Sequence, residues 1–285
     1  MSDTRRDRLA AAGADLEYAW HGARERGPSL VLLHEGLGCL ALWKDFPARL
    51  AAATGCPVLA YSRAGYGGSS PVALPRPLDF HTREALESLP AVLDAAAIAD
   101  CILVGHSDGA SIALVHAGQV RDPRVRGVAV MAPHVLTEDK TLATIAQARD
   151  AYAAGGLRER LRRYHGDNVE CAFRGWCDAW LAPGFRSWSI EAAVAAIEVP
   201  LLVIRGCDDP YNTAVHVERI AALARGPVTV EMLAGCGHAP HVEQADAVLD
   251  KLADFLREVG ADGDSANGDS LLSHRAAPGQ TAGQK

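Results

Sequence analysis

The sequence predicts an α/β fold: a mostly parallel sheet flanked by helices, with an all-helical insertion late in the chain. Three observations carry this. Near-continuous apolar runs at 28–34, 57–61, 101–104, 125–131 and 201–204 have the composition of strands buried on both faces of a parallel sheet. Between them apolar residues recur at helical spacing, and strands alternating with helices imply βαβ units with right-handed crossovers. From Pro133 to Ile197 the alternation stops and helical spacing continues without a convincing strand.

In order along the chain, Ala14 to Trp20 alternates roughly and predicts an edge strand. The run 28–34 ends in Glu35-Gly36-Leu37-Gly38, at the carboxyl end of a strand, where open α/β sheets hold ligands. Leu42, Phe46 and Leu50 place a helix within 40–54, and 57–61 is the next strand. The Gly-rich loop from Arg63 to Pro71 lacks the lysine and the spacing of a phosphate-binding loop, so its glycines are read as loop geometry. Leu86, Leu89, Val92 and Leu93 predict a helix between His81 and Ile98, kinked at Pro90. Strands at 101–104 and 125–131 follow, with a helix between them.

Within the insertion Leu142, Ile145, Tyr152, Leu157, Leu161 and Tyr164 lie at helical intervals. Trp176, Trp180 and Trp188 read first as its apolar core, with Trp176 and Trp180 also candidate pocket residues. Beyond Pro200 come the strand 201–204, a helix from His216 to Leu223, a strand at 227–232 and the loop Gly235 to Pro240. The last helix carries Ala245, Val248, Leu249, Leu252, Phe255 and Leu256 on one stripe. The expected organisation is a core domain formed by 1–132 and 198–260, a helical cap at 133–197, and a disordered Gly-, Ser- and Ala-rich tail at 261–285.

Composition bounds the function. The chain has 285 residues, 49% hydrophobic and 22% charged, an ordinary globular balance. A formal net charge of −7 argues against a nucleic-acid surface. No apolar run reaches the length of a membrane helix, and the N-terminal segment lacks an apolar core flanked as in a secretory signal. The seven cysteines share no repeated spacing and include no Cys-x-x-Cys pair, so they read as reduced thiols of a cytoplasmic protein.

The chemistry centres on Gly105-His106-Ser107-Asp108-Gly109, which fits G-x-S-x-G. In that motif the serine sits on a strained strand-to-helix turn, and the helix that follows points free N–H groups at a forming oxyanion. A serine hydroxyl is a weak nucleophile and needs a general base held in one tautomer. Asp208 or Asp209 follows one later strand and His238 the next, in the chain order Ser, acid, His. His241 competes with His238 but is expected to open the last helix. The expected oxyanion donors are the N–H groups of Asp108 and Gly36, with Leu37 next. His106, Glu35 and Leu37 are further candidate pocket residues. The histidines form no metal-ligand set, so neither metal nor cofactor is expected.

These motifs resemble the α/β-hydrolase superfamily over all of the chain except the tail. VLLHEGLG resembles the oxyanion loop, YSRAGYGGS the glycine-rich turn after the next strand, GHSDG the nucleophile elbow, LLVIRGCDDPY the acid strand and loop, and AGCGHAPHVEQ the Gly-His motif. The resemblance implies a helical cap inserted after the sixth core strand. The family's acid stands three residues after the glycine, which from Gly206 implies Asp209. The elbow is similar to that of valacyclovir hydrolase-like esterases, and the plan also resembles enol-lactone and meta-cleavage hydrolases. Glu35 departs from the pattern by interrupting the usual His-Gly pair, and the meta-cleavage pattern His-Gly-x-Gly-Pro-Gly is absent. The implied activity is hydrolysis of a small ester, lactone or thioester, with a small-molecule substrate and no nucleic-acid or membrane partner; a homo-oligomer is compatible with it. The alternatives are a C–C hydrolase, a cofactor-free haloperoxidase, or a ligand-binding protein on the same scaffold.

Overall fold

The computed structural model describes residues 7–24 and 27–268, with the side chains of the last helix described through Gly260. One sheet of eight strands organises the chain: β1 (Asp7–Ala11), β2 (Ala14–His21), β3 (Ser29–Leu33), β4 (Val58–Tyr61), β5 (Cys101–His106), β6 (Val125–Met131), β7 (Leu201–Gly206) and β8 (Val228–Leu233). Their spatial order is β1-β2-β4-β3-β5-β6-β7-β8. The first two strands run antiparallel to their neighbours, and the pairs from β4 to β8 are parallel.

The strand order reverses between β3 and β5, because β4 pairs on one side of β3 and β5 on the other. Loops leaving β3 and β5 therefore diverge from neighbouring strand ends and leave a crevice at the carboxyl edge. The β3–β5 register pairs Leu33 with Gly105, so the segments starting at His34 and Ser107 emerge side by side.

Helices cover both faces. Alternation along β3 sends Val31 and Leu33 to one layer and Leu30 and Leu32 to the other. The first layer holds α3 (Leu89–Ala95), α4 (Asp108–Val115) and α9 (Val215–Leu223); the second holds α1 (Phe46–Thr54) and the terminal helix, Ala245–Gly268. The one-turn helix α2 (Phe80–Arg83) joins α3 through a π-type turn at Glu84–Ser88, just before the expected kink. Pro90 has no N–H to give to the turn before it, and the chain widens locally, with Leu89 N–H bonded to Glu84 O.

After β6 the chain leaves the sheet as α5 (Asp139–Ala153), α6 (Gly156–His165), α7 (Val169–Leu181) and the short α8 (Glu191–Val194), returning at β7. This insertion after the sixth strand has an apolar core of its own, where Phe173 stacks on Tyr152 and Trp180 packs on Phe185. Among the described residues its only β-pairing is the bridge Leu136 to Ser189.

Strand β1 lies outside the sequence expectation. It joins β2 through Ala12 and Gly13, both at positive φ as a tight hairpin requires. The terminal helix reaches Gly268, past the expected end at 260; residues 269–285 of the expected tail lie outside the described residues. His241 occupies a separate turn, α10 (Pro240–Glu243), ahead of that helix, now α11. Among the described residues no helix is long and apolar enough to cross a membrane.

Candidate active site

Ser107 stands between β5 and α4 at φ 52° and ψ −115°, a conformation an L-residue adopts only when its surroundings impose it. Here they do. A Cβ on Gly105 would lie 2.6 Å from Ala110 Cα, and one on Gly109 would run into the Leu33 carbonyl, so only glycine lets α4 press this close to β5 and β3. Ser107 N–H is held by Met131 O at 2.9 Å, which fixes the turn to β6.

His238 and Asp209 reach this point from the loops after β8 and β7. His238 Nε2 lies 3.0 Å from Ser107 Oγ, and its Nδ1 lies 2.8 Å from Asp209 Oδ2. A carboxylate can only accept, so Nδ1 carries the proton and Nε2 is left to accept from the serine hydroxyl. Asp209 is 1% exposed, and its Oδ1 accepts the N–H of Tyr211 at 2.7 Å. Burial works to raise its pKa, but the hydrogen bond and charge of His238, followed by the Tyr211 N–H, hold it below the ordinary 3.8. Asp208 is exposed and takes no part in this contact. His241 turns away: it packs between Trp43 and Phe46, and burial pushes it down to about 3.

The loop after β3 is built by polar groups buried beneath it. Arg63 N–H donates to His34 Nε2 at 3.1 Å, which leaves the His34 proton on Nδ1, 2.7 Å from Glu35 O. Arg63 Nη2 donates to the same carbonyl at 3.0 Å, and Gly38 N–H adds a bond at 3.1 Å. With three donors fixing the Glu35 carbonyl, the planar peptide aims the Gly36 N–H the opposite way. Gly36 packs against Asp108 and Trp176 on the cavity side, and the N–H groups of Gly36 and Asp108 make no hydrogen bond among the described residues.

The cavity enclosed between this edge and the helical insertion is small, about 70 Å³. Glu35, Gly36, Leu37, Ser107, Asp108 and His238 form its floor, and Trp176, Trp180, Thr141 and Ile145 come from the insertion. Both tryptophans thus serve as insertion core and cavity wall. Trp180 Nε1–H donates to Asp108 Oδ1 at 3.2 Å, and His81 Nε2 stands 3.2 Å from the same oxygen. Burial opposes ionisation of Asp108, yet the charges of His81 and Arg63 lower it from 3.8 to about 2. His106 does not line the cavity. It lies behind Ser107, with Nε2 2.7 Å from His238 O and Nδ1 3.4 Å from Glu35 Oε2.

The contributors that escape the sequence reading include Arg63 beneath the loop after β3, and His134 and Tyr211 in the cavity wall. Burial and the neighbouring charges of His216 and His238 hold His134 well below its ordinary 6.5, so it is a neutral ring. Their shared signal is a polar residue just past a buried apolar strand. Among the described residues no group of three or more His, Cys, Asp or Glu is arranged to hold a metal ion.

The comparisons agree with this architecture. The model of the family described as "Alpha/beta hydrolase family" matches residues 30–251. A relative named "Putative carbamate hydrolase RutD", from Variovorax paradoxus (strain S110), is 30% identical over 276 residues, covering 87% of this chain and 98% of its own. A solved hydrolase from Pseudomonas aeruginosa PA01 superposes with a TM-score of 0.69 at 25% identity, over 90% of this chain and 98% of that one. The enol-lactonase from Burkholderia xenovorans LB400 shares the fold, with a TM-score of 0.68 at 22% identity over 88% and 100% of the two chains. The eight-stranded sheet, the insertion after its sixth strand and the match over 30–251 lead to one assignment: the chain belongs to the alpha/beta hydrolase family and is a hydrolase.

Proposed function

We propose that the chain is a cytoplasmic serine hydrolase that cleaves a small carboxylic ester, lactone or thioester through an acyl-enzyme, with residues 133–197 as a cap over the site. The observation that carries this reading is the unbroken line of hydrogen bonds from Ser107 Oγ through the His238 ring to Asp209, opening on the cavity.

In this reading Ser107 Oγ attacks the acyl carbon while His238 Nε2 takes its proton. Asp209 keeps the ring in the required tautomer and stabilises the imidazolium that forms. The carbonyl oxygen, now an oxyanion, receives the N–H groups of Gly36 and Asp108; one such donor is typically worth about 10²–10³ in turnover. Collapse of the tetrahedral intermediate breaks the bond to the leaving oxygen or sulfur, which takes the proton from His238. Water then enters, gives its proton to His238 and releases the acid from Ser107. The small cavity suits a short acyl group. Similarity to the relative named as a carbamate hydrolase favours one further substrate class, a carbamate, whose carbonyl the same steps would open.

A turnover panel tests this: short-chain esters, a lactone, a thioester and a carbamate, with the purified full chain. The expected result is multiple turnover on at least one class and loss of that rate in Ser107→Ala. Saturable binding without steady-state turnover on any class would favour the ligand-binding alternative.

A further inference from the structure

Buried His106 and half-buried Glu35 are ionisable groups beside the site that the steps above leave unused. His106 is 2% exposed. Its two ring nitrogens face two acceptors, the His238 carbonyl at 2.7 Å and the Glu35 carboxyl at 3.4 Å. A neutral imidazole has a single N–H, so it can satisfy only one of them. Both contacts are met when both ring nitrogens are protonated beside an ionised Glu35. Burial disfavours such a cation, but the hydrogen bond and charge of Glu35, followed by the His238 carbonyl, raise His106 above its ordinary 6.5. Burial likewise works against ionised Glu35, and the same contact with His106 holds it below the usual carboxylate range.

We infer that Glu35 and His106 form a second carboxylate–imidazole couple, a pair of positioning residues that clamps the backbone of His238 and ties its loop to the oxyanion loop. The inference rests on the serine hydrolase reading. Glu35 also precedes Gly36, so one contact braces both the general base and an oxyanion donor.

Loss of the shared proton undoes the clamp. A neutral His106 beside a carboxylate gives its one N–H to Glu35, and the lone pair on Nε2 then faces the His238 carbonyl and repels it. Displacement of about 1 Å at a catalytic group costs up to about 100-fold in rate. The groups around the ring leave this titration to His106. His34 flanks Glu35 and is kept neutral by burial and Arg63. Asp209 lies across the loop after β7 as an anion that favours the cation. His238 and His241 face the ring at centroid distances of 5.3 and 4.7 Å, Lys44 acts on His241, and His134 lies beyond His238.

The test uses the full chain and reads pH–rate profiles together with nitrogen-15 shifts of the histidine rings. In the wild type kcat should fall about tenfold as pH rises through the His106 titration, above the ordinary 6.5, with KM within about twofold. In Glu35→Gln the neutral His106 can donate from Nε2 to His238 and accept at Nδ1 from the new amide, so the alkaline fall should vanish. His106→Ala should lower kcat about tenfold or more across the range at similar KM. Near neutral pH both His106 nitrogens should be protonated in the wild type and only Nε2 in Glu35→Gln. A Glu35→Gln variant that keeps the alkaline fall, or a wild-type His106 with one ring proton near neutral pH, overturns the inference. Absence of turnover in every variant, with His106 still doubly protonated, would sink the hydrolase reading and the positioning role with it.

Discussion

Ser107 gains reactivity in this account from what lies two hydrogen bonds away. Asp209 accepts from His238 Nδ1, and that contact leaves Nε2 as the ring nitrogen free to accept from the Ser107 hydroxyl. In Asp209→Asn an amide nitrogen can face Nδ1 and turn the ring to the other tautomer. Steady-state kinetics should then show kcat lower by a factor on the order of 10⁴, while unfolding curves stay close to wild type. A loss under about tenfold would show that Asp209 does not set the tautomer. Ser107 and His238 were legible because glycines and strand ends mark their places in the sequence. The choice between Asp208 and Asp209 was not legible in the residues themselves. It depends on which carboxylate the loop buries, and the loop that buries Asp209 is held by the Tyr211 N–H and by Lys140, whose ammonium holds the Asp209 carbonyl at 2.7 Å. Arg63 and His134 escaped for a similar reason: their roles lie in contacts with segments far away in sequence.

At the scale of elements, the elbow is a packing problem solved by glycine. Alanine at Gly109 would favour the helix by about 1 kcal/mol through propensity. Its Cβ, however, would press on the Leu33 carbonyl, and backbone cannot move aside as a side chain can. Gly109→Ala should therefore destabilise the fold by about 1–3 kcal/mol in urea unfolding and misplace the loop after β3; equal or higher stability would contradict this packing. Strands of continuous apolar residues were read close to their observed limits because burial on both faces leaves no ambiguity in their pattern. Strand β1 was missed because DRLAA is short, opens on two charged residues, and buries only Leu9 and Ala11. The π-type turn before Pro90 was visible only as an expected kink, since sequence spacing records that a bond is lost and not how the chain repairs it.

For the whole molecule, strand order brings the pieces together. The reversal between β3 and β5 opens the crevice, the loops after β7 and β8 bring Asp209 and His238 to it, and the insertion after β6 lines it from the other side. That plan was readable from alternating runs and from the break after Pro133. The size of the enclosed space was not, because it depends on how Trp176 and Trp180 pack against Gly36 and Asp108. The proposed chemistry depends on Ser107 as an activated nucleophile. Its most direct test is the intact mass of the full chain after exposure to a fluorophosphonate, measured beside Ser107→Ala. One adduct per wild-type chain and none on the variant is expected. An unmodified wild type, or an adduct that survives in Ser107→Ala, would contradict it.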